Sequence, residues 1–443
     1  MIYEHKVEYF KMDDAIVGVI PSMDIVFSAT GVKPSLIRSN SRPIFHESYK
    51  RKKRIKRVLV LTNACNLQCS YCFEGTHSTQ SFFSPEWASL NIAKMFDEAI
   101  ESNNKLISFS LFGGEPSLNW DAVCAAITES KKLEKTTGIR CYKAIVTNGA
   151  MSKEKIKYLC DNVDFLYFSF DGAKELFLKQ RKPKKGDSLY DIIFENAMLA
   201  YNTSVYLSFK VTVTKFTINN LNEIDDFFTV NFPTCSRLYQ PCMVEKDDPL
   251  HIDFGEFLER FYQLEHHSLF PRNLTTSLYK NKPSDRFCNL AVRNVIYPNG
   301  DVLACHRSNM CIPDDKVREV FKVGYCDDNG NITKSKGKLD FMSRIKVANY
   351  SGCADCSLRY HCGGGCATIK LLSGNCDIFR KADYCEDFQR YAFSKIFNRL
   401  NIRDEKFLIK NIPQKIHFNT ENIIDENAFF KIYKGNITSI EEN

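Results

Sequence analysis

The chain has 443 residues, 44% of them apolar and 26% charged, with a formal net charge of +7. That balance is the composition of a globular protein, and the length suggests two or three domains. No run approaches the roughly 18 apolar residues of a membrane helix, and the charged start Met1 to Lys11 does not read as a secretory signal. The expected address is therefore the cytoplasm, with no membrane partner. Eighteen cysteines in a reducing compartment cannot be a disulfide scaffold, so clustered cysteines point to metal.

Residues 1–55 hold short strand-like pieces, Ile16 to Ile20 and Ile25 to Ser28, broken by Pro21 and Gly31. They read as a small β layer. The mild charge is most concentrated in Arg51-Lys52-Lys53-Arg54-Ile55-Lys56-Arg57, expected to be a solvated approach to the first strand rather than a dock for nucleic acid. No nucleic-acid partner is expected.

From about residue 56 to 245, β-branched and aromatic runs alternate with amphipathic helical patterns, the grammar of βα units and a parallel sheet. Six strands are predicted: Arg57 to Thr62, Ile107 to Phe112, Cys141 to Thr147, Phe165 to Phe170, Tyr206 to Thr212 and Arg237 to Pro241. Helices are predicted between them, including Pro85 to Ser102, N-capped by Ser84, and Trp120 to Lys135.

Cys65, Cys69 and Cys72, spaced C-x3-C-x2-C, lie on the loop leaving the first strand. Thiolates on so short a loop can hold three irons of a [4Fe-4S] cube and leave the fourth open; a zinc knuckle is the alternative reading of the spacing. In α/β barrels chemistry gathers at the C-terminal strand ends. Here those ends carry the cysteine loop, then Gly113-Gly114-Glu115-Pro116, then Thr147-Asn148-Gly149, then Ser169-Phe170-Asp171-Gly172. Glycine permits close backbone approach to a ligand, and Glu115 offers a carboxylate for an ammonium group.

A second cysteine field follows: Cys353-x2-Cys356-x5-Cys362-x3-Cys366, then Cys385, with Gly363-Gly364-Gly365 letting the backbone fold tightly. Upstream, Cys288 and Cys305 bracket a predicted hairpin turning at Asn299-Gly300. Cys311 and Cys326 are further thiols within reach of this field. The isolated Cys124, Cys141, Cys160, Cys235 and Cys242 read as small buried hydrophobes. Glu386 to Leu400 reads as an amphipathic helix, followed by a polar, loosely packed tail.

The segment Cys65-Asn66-Leu67-Gln68-Cys69-Ser70-Tyr71-Cys72-Phe73 closely resembles the signature of the radical S-adenosylmethionine (radical SAM) enzymes, and the cysteine field from 288 to 385 resembles their SPASM extension. The resemblance implies an α/β fold, a partial (β/α)6 TIM-like barrel followed by a cysteine-rich SPASM domain that binds auxiliary Fe–S clusters. The implied domains are 1–55, an extension; 56–285, the barrel and connecting helices; 286–386, the SPASM domain; and 387–443, a helix and tail. S-adenosylmethionine and three [4Fe-4S] clusters are the implied cofactors. One cluster takes Cys65, Cys69 and Cys72. Of the auxiliary pair, one takes Cys353, Cys356, Cys362 and Cys385, the other Cys288, Cys305 and Cys366 with either an open iron or a fourth ligand from Cys311 or Cys326. Cofactor-binding positions transfer to Tyr71, Phe73, Gly113, Gly114, Glu115, Asn148, Ser169 and Arg181.

In that family a 5′-deoxyadenosyl radical abstracts hydrogen from unactivated carbon. Sulfatase-type relatives place an aspartate directly after the cysteine that corresponds to Cys305, whereas this chain has His306, a candidate proton carrier. Cys305-His306-Arg307 resembles maturases of ribosomally made peptides. The expected activity is a thioether or other side-chain cross-link in a precursor peptide or protein, with flavodoxin or ferredoxin as electron donor. The alternatives are a formylglycine-generating sulfatase maturase and, more distantly, a non-catalytic zinc or Fe–S electron-transfer protein.

Overall fold

The computed structural model describes residues 8–12, 15–20, 25–28, 36–38, 55–72, 74, 80–276, 278, 284–288, 290, 293–309, 316–372, 377–399, 408–410 and 412–416. Phe73, Cys311, Cys376 and most of the basic run therefore lie outside the described residues.

The six predicted strands appear as β1 (Lys56–Thr62), β2 (Leu106–Gly113), β3 (Arg140–Thr147), β4 (Phe165–Ser169), β5 (Tyr206–Val213) and β6 (Ser236–Pro241). All pair in parallel and in chain order, so their C-terminal ends share one rim. Between them run α1 (Pro85–Glu101) and α2 (Trp120–Thr137) among others. Ser84 caps α1, its side chain accepting from the Trp87 amide at 3.0 Å. The helix buries Ala88, Ile92, Met95, Phe96 and Ala99, a stripe at helical spacing, each larger side chain contributing about 1.5–3 kcal/mol of burial.

The sheet has eleven strands and an open order. Beyond β6 it adds Leu274–Thr276 in parallel. On the other edge Arg293–Ile296 pairs in parallel with β1, so the sheet runs continuously across the boundary expected at residue 286. The predicted hairpin is present there, with Val295 opposite Leu303 and Ile296 opposite Val302. Strands Lys322–Cys326 and Ile332–Lys334 complete the antiparallel edge.

Strands Glu8–Met12, Ala15–Ile20, Ile25–Ser28 and Leu36–Arg38 form the expected small layer as an antiparallel sheet. Its fifth strand, Gln414–Ile416, comes from the segment expected to be loosely packed. Phe10 of this layer meets Phe393 of helix Cys385–Arg399 with ring centroids 4.8 Å apart. No helix among the described residues is long and apolar enough to cross a membrane.

Arg57, expected in a solvated run, is instead 1% exposed. Strand alternation turns it under α1, where it donates to Asn91 O at 3.0 Å and Asn91 Oδ1 at 2.9 Å and pairs with Glu98. A second buried arginine, Arg237 on β6, meets Asp225 at 2.8 Å with both side chains inaccessible to solvent, and Tyr239 Oη donates to the same carboxylate at 3.2 Å. Removing one member of such a pair strands the other charge. Asp225→Ala should therefore cost about 3–5 kcal/mol of stability, measured by anaerobic urea denaturation. A loss below about 1 kcal/mol would be that of a solvated surface pair and would contradict this packing.

Candidate active site

The cysteine loop is held from two sides. On one side the end of β2 lies flat against it: Gly114 N donates to Thr62 O at 2.9 Å and Glu115 N to Ala64 O at 2.8 Å. A Cβ on Gly114 would stand 2.4 Å from Ala64 O, so only glycine fits. On the other side Leu67–Cys69 pairs antiparallel with Arg181–Pro183, placing Cys69 opposite Arg181. Ser70 N donates to Gln180 O at 2.9 Å and Lys184 N to Asn66 O at 3.1 Å.

Cys65, Cys69 and Cys72 line a cavity of about 160 Å³ that opens to solvent. The same cavity is lined by Tyr71, Gly113, Gly114, Asn148, Ser169 and Arg181. Cys65 Sγ accepts from Leu67 N at 3.4 Å and from Asn148 Nδ2 at 3.6 Å. Burial pushes the Cys65 thiol up to about 11 and that of Cys69 up to about 12, against the pull of Arg181 on Cys69. Unassisted, these sulfurs stay protonated at neutral pH, whereas a metal would hold them as thiolates. Three thiols outside any disulfide, with N–H donors aimed at the sulfur of Cys65, are the donor set that suits an iron–sulfur core.

Arg181 is fixed by Asp171, its Nε donating to Oδ2 at 2.7 Å and its Nη2 to Oδ1 at 3.1 Å. Asp171 also accepts from Thr212 N at 3.0 Å, from Gln180 Nε2 at 3.3 Å and from Tyr71 Oη. The guanidinium carbon lies 5.4 Å from the Tyr71 ring centroid. This buried hub places a cation beside the cysteine loop, where a ligand's carboxylate can reach it.

Glu115 differs from its expected place facing a ligand's ammonium. It is fully buried and is not among the residues lining the cavity. Its carboxylate accepts from Ser117 N at 3.0 Å, Thr147 Oγ1 at 2.8 Å and Asn148 N at 2.7 Å, stapling the end of β2 to that of β3. Burial raises its pKa, against those same hydrogen bonds.

The far wall comes from the C-terminal cysteine region. His306 and Arg307, directly after Cys305, line the cavity. The His306 ring meets Phe112 edge-on at 5.3 Å, and Arg307 donates to Gln240 Oε1 at 2.7 Å. Lys210, Thr212 and Gln240 also line the cavity and were not anticipated. They occupy the C-terminal ends of β5 and β6, so the strand-end rule finds them once it is extended past the fourth strand. Cys242, expected in the core, is 3% exposed and donates to Leu250 O at 2.9 Å, yet it also borders the cavity.

Several of the remaining cysteines lie near one another. The Cys362 sulfur is acted on by Cys356, Cys353 and Cys385, and that of Cys305 by Cys366. Cys288, Cys353 and Cys366 all act on Tyr350. Sulfur acceptors recur: Gly364 N reaches Cys362 Sγ at 3.3 Å and Gln389 Nε2 reaches Cys385 Sγ at 3.4 Å. Cys326 is no candidate ligand here, because it is buried on the sheet edge and donates to Asn91 Oδ1 at 3.5 Å. Among the described residues no three His, Cys, Asp or Glu side chains are drawn together as a single-ion site. A tetrahedral zinc brings its sulfurs within roughly 3.8 Å, since Zn–S bonds are about 2.3 Å; a cube spreads them, each thiolate binding a different iron.

The close approach at Gly114 yields a test. Gly114→Ala should displace the Cys65 loop while leaving the C-terminal cysteines in place, so the purified, reconstituted protein should lose about four irons per chain. Unchanged iron content would mean that the loop tolerates the added methyl group.

Residues 59–227 match the sequence profile of the Radical SAM superfamily. The radical SAM cyclopropyl synthase TigE of Paramaledivibacter caminithermalis is 26% identical over 388 residues, covering 75% of this chain and 76% of that protein. By shape, the sulfatase maturase anSMEcpe with bound AdoMet superposes with a TM-score of 0.62 at 18% identity, covering 78% of this chain and 99% of that one. Streptococcus suis SuiB bound to its precursor peptide SuiA superposes with a TM-score of 0.51 at 15% identity, covering 75% and 76%. At those identities the likeness is one of fold. The chain thus carries a radical SAM domain over residues 59–227 and is an enzyme.

Proposed function

We propose that this enzyme modifies a precursor peptide by hydrogen abstraction, closing a thioether or other side-chain cross-link. The observation that carries the reading is the single cavity bordered both by the cysteine loop and by His306 and Arg307 of the auxiliary region. The relative named as a cyclopropyl synthase supports a bond-forming outcome, and the fold shared with SuiB in its complex with a precursor peptide supports a peptide substrate.

In this reading Cys65, Cys69 and Cys72 hold one [4Fe-4S] cluster, and S-adenosylmethionine lies against Gly113, Gly114, Asn148 and Ser169 with its carboxylate at Arg181. The pair supplies, when bound, the 5′-deoxyadenosyl radical that takes the substrate hydrogen. Tyr71 and Asp171 keep the Arg181 fork aligned, and the apolar floor around Phe112 keeps the reacting carbon away from water. Closing a bond at the substrate radical releases one proton and one electron. His306, on the cavity wall, would accept the proton, and Cys288, Cys305 and Cys366 together with Cys353, Cys356, Cys362 and Cys385 would hold two auxiliary clusters able to accept the electron. Flavodoxin or ferredoxin serves as external redox partner, and the reduced thiols suit a cytoplasmic enzyme.

His306 in place of an aspartate is the feature that separates this reading from a formylglycine-generating maturase. Coexpression with a panel of short cysteine-containing candidate precursor peptides, followed by mass spectrometry, should give a product lighter by two hydrogens with the lost hydrogens accounted for in a new bond. A formylglycine product, or no hydrogen loss from active enzyme, would overturn the cross-linking assignment. Arg181→Lys keeps the charge but loses the fork. It should weaken S-adenosylmethionine binding roughly tenfold or more, the value of a charge-assisted hydrogen bond, with iron content unchanged. Equal affinity in an equilibrium binding assay would remove Arg181 from the site.

A further inference from the structure

Lys370 lies on the helix Ala367–Leu372, which follows Cys366 directly. It is 1% exposed. Its ammonium sits 3.5 Å from the Tyr350 ring centroid and donates to Ile378 O at 3.3 Å. Gly365, on the turn that joins Cys362 of one cysteine set to Cys366 of the other, packs against it, a Cβ there standing 3.6 Å from Lys370 Cε, and Lys370 N donates to Cys366 O at 3.1 Å while Cys353 N donates to Tyr350 O at 3.2 Å. Tyr350 is placed in the same way, influenced by Cys288 and Cys366 on the one hand and Cys353 on the other. Its ring is closed over by Gly364, where a Cβ would stand 2.1 Å from ring carbon. The glycine run, the ring and the ammonium are thus stacked as one layer against the turn that joins Cys362 of one set to Cys366 of the other.

A buried ammonium is costly unless negative charge faces it. Thiolate-ligated iron–sulfur clusters are negative, and each accepts one further electron on reduction. A fixed positive charge beside such a centre favours the reduced state, and this one stands beside two centres at once. We infer that Lys370, resting on Tyr350, is the shared counter-charge of the two auxiliary clusters and holds both reduction potentials up. The inference rests on the proposal that these cysteines bind clusters. It makes Lys370 a positioning residue for charge, acting through the clusters on the electron released by the substrate radical, which passes through them to the flavodoxin- or ferredoxin-type partner.

The test is an anaerobic redox titration of the reconstituted holoenzyme followed by electron paramagnetic resonance. Lys370→Met should lower both auxiliary potentials by at least a tenfold change in the one-electron equilibrium, about 59 mV, leaving the cluster of Cys65, Cys69 and Cys72 unmoved. Lys370→Arg, which keeps the charge, should titrate with the parent. Should Lys370→Met fail to take up iron, restoration of both iron content and potentials by Lys370→Arg supports the inference, and failure of both variants overturns it. Equal auxiliary potentials in parent and Lys370→Met, or an equal shift of all three clusters, also overturn it. A parent enzyme that binds zinc and no sulfide would instead bring down the cluster reading itself.

Discussion

The three-residue antiparallel bridge between Leu67–Cys69 and Arg181–Pro183 is the constraint on which the candidate site depends. The loop after β1 is long and carries three sulfurs that must hold fixed positions. A loop of that length pays a conformational cost for every ordered residue, and its own sequence supplies little to fix it. The bridge supplies backbone hydrogen bonds from a segment more than a hundred residues away, and it sets Arg181 opposite Cys69 by register alone. One pairing therefore orders the sulfurs and delivers the cation.

Two buried carboxylates extend the same logic. Asp171 gathers Arg181, Gln180, Tyr71 and the Thr212 amide, joining the ends of β4 and β5 to the cysteine loop. Glu115 joins the end of β2 to that of β3 through two hydrogen bonds. Each carboxylate has its hydrogen-bonding capacity satisfied from several elements at once, which is the condition for keeping such a group inside a protein. The rim of a parallel sheet is otherwise a row of separate turns; these staples make it one rigid edge, as a site that must hold reacting groups in register requires.

The strands were legible in the sequence because buried parallel strands are short apolar β-branched runs, and their order followed from the βα alternation. The strand-end rule then named the part of the cavity wall that the first four strands supply. What was illegible depends on contacts distant in sequence. Arg57 carries the same charge as its exposed neighbours, and only the pairing of β1 beneath α1 shows that it turns inward to Asn91 and Glu98. Glu115 reads as a ligand for an ammonium group because its own hydrogen-bond partners, the Asn148 amide and Thr147, lie a strand away. The strand Gln414–Ile416 has no periodicity of its own to mark it and exists only through its pairing with Glu8–Met12. Lys370 is one lysine among many until burial and the Tyr350 ring single it out.

The continuous sheet explains how two chemistries share one cavity. Had the cysteine-rich region followed as a separate domain on a linker, its distance from the first three cysteines would vary with domain motion. Instead Arg293–Ile296 extends the barrel sheet directly beside β1, and the hairpin that follows returns the chain to Cys305 a few residues later. The strand that leads to the Cys65 loop and the hairpin that leads to Cys305 are thus held by one hydrogen-bonded ladder. His306 and Arg307 reach the cavity because that ladder leaves them at its rim. Under the proposed function, an electron leaving a substrate held there would have only to cross from the cavity wall to sulfur anchored on the same sheet.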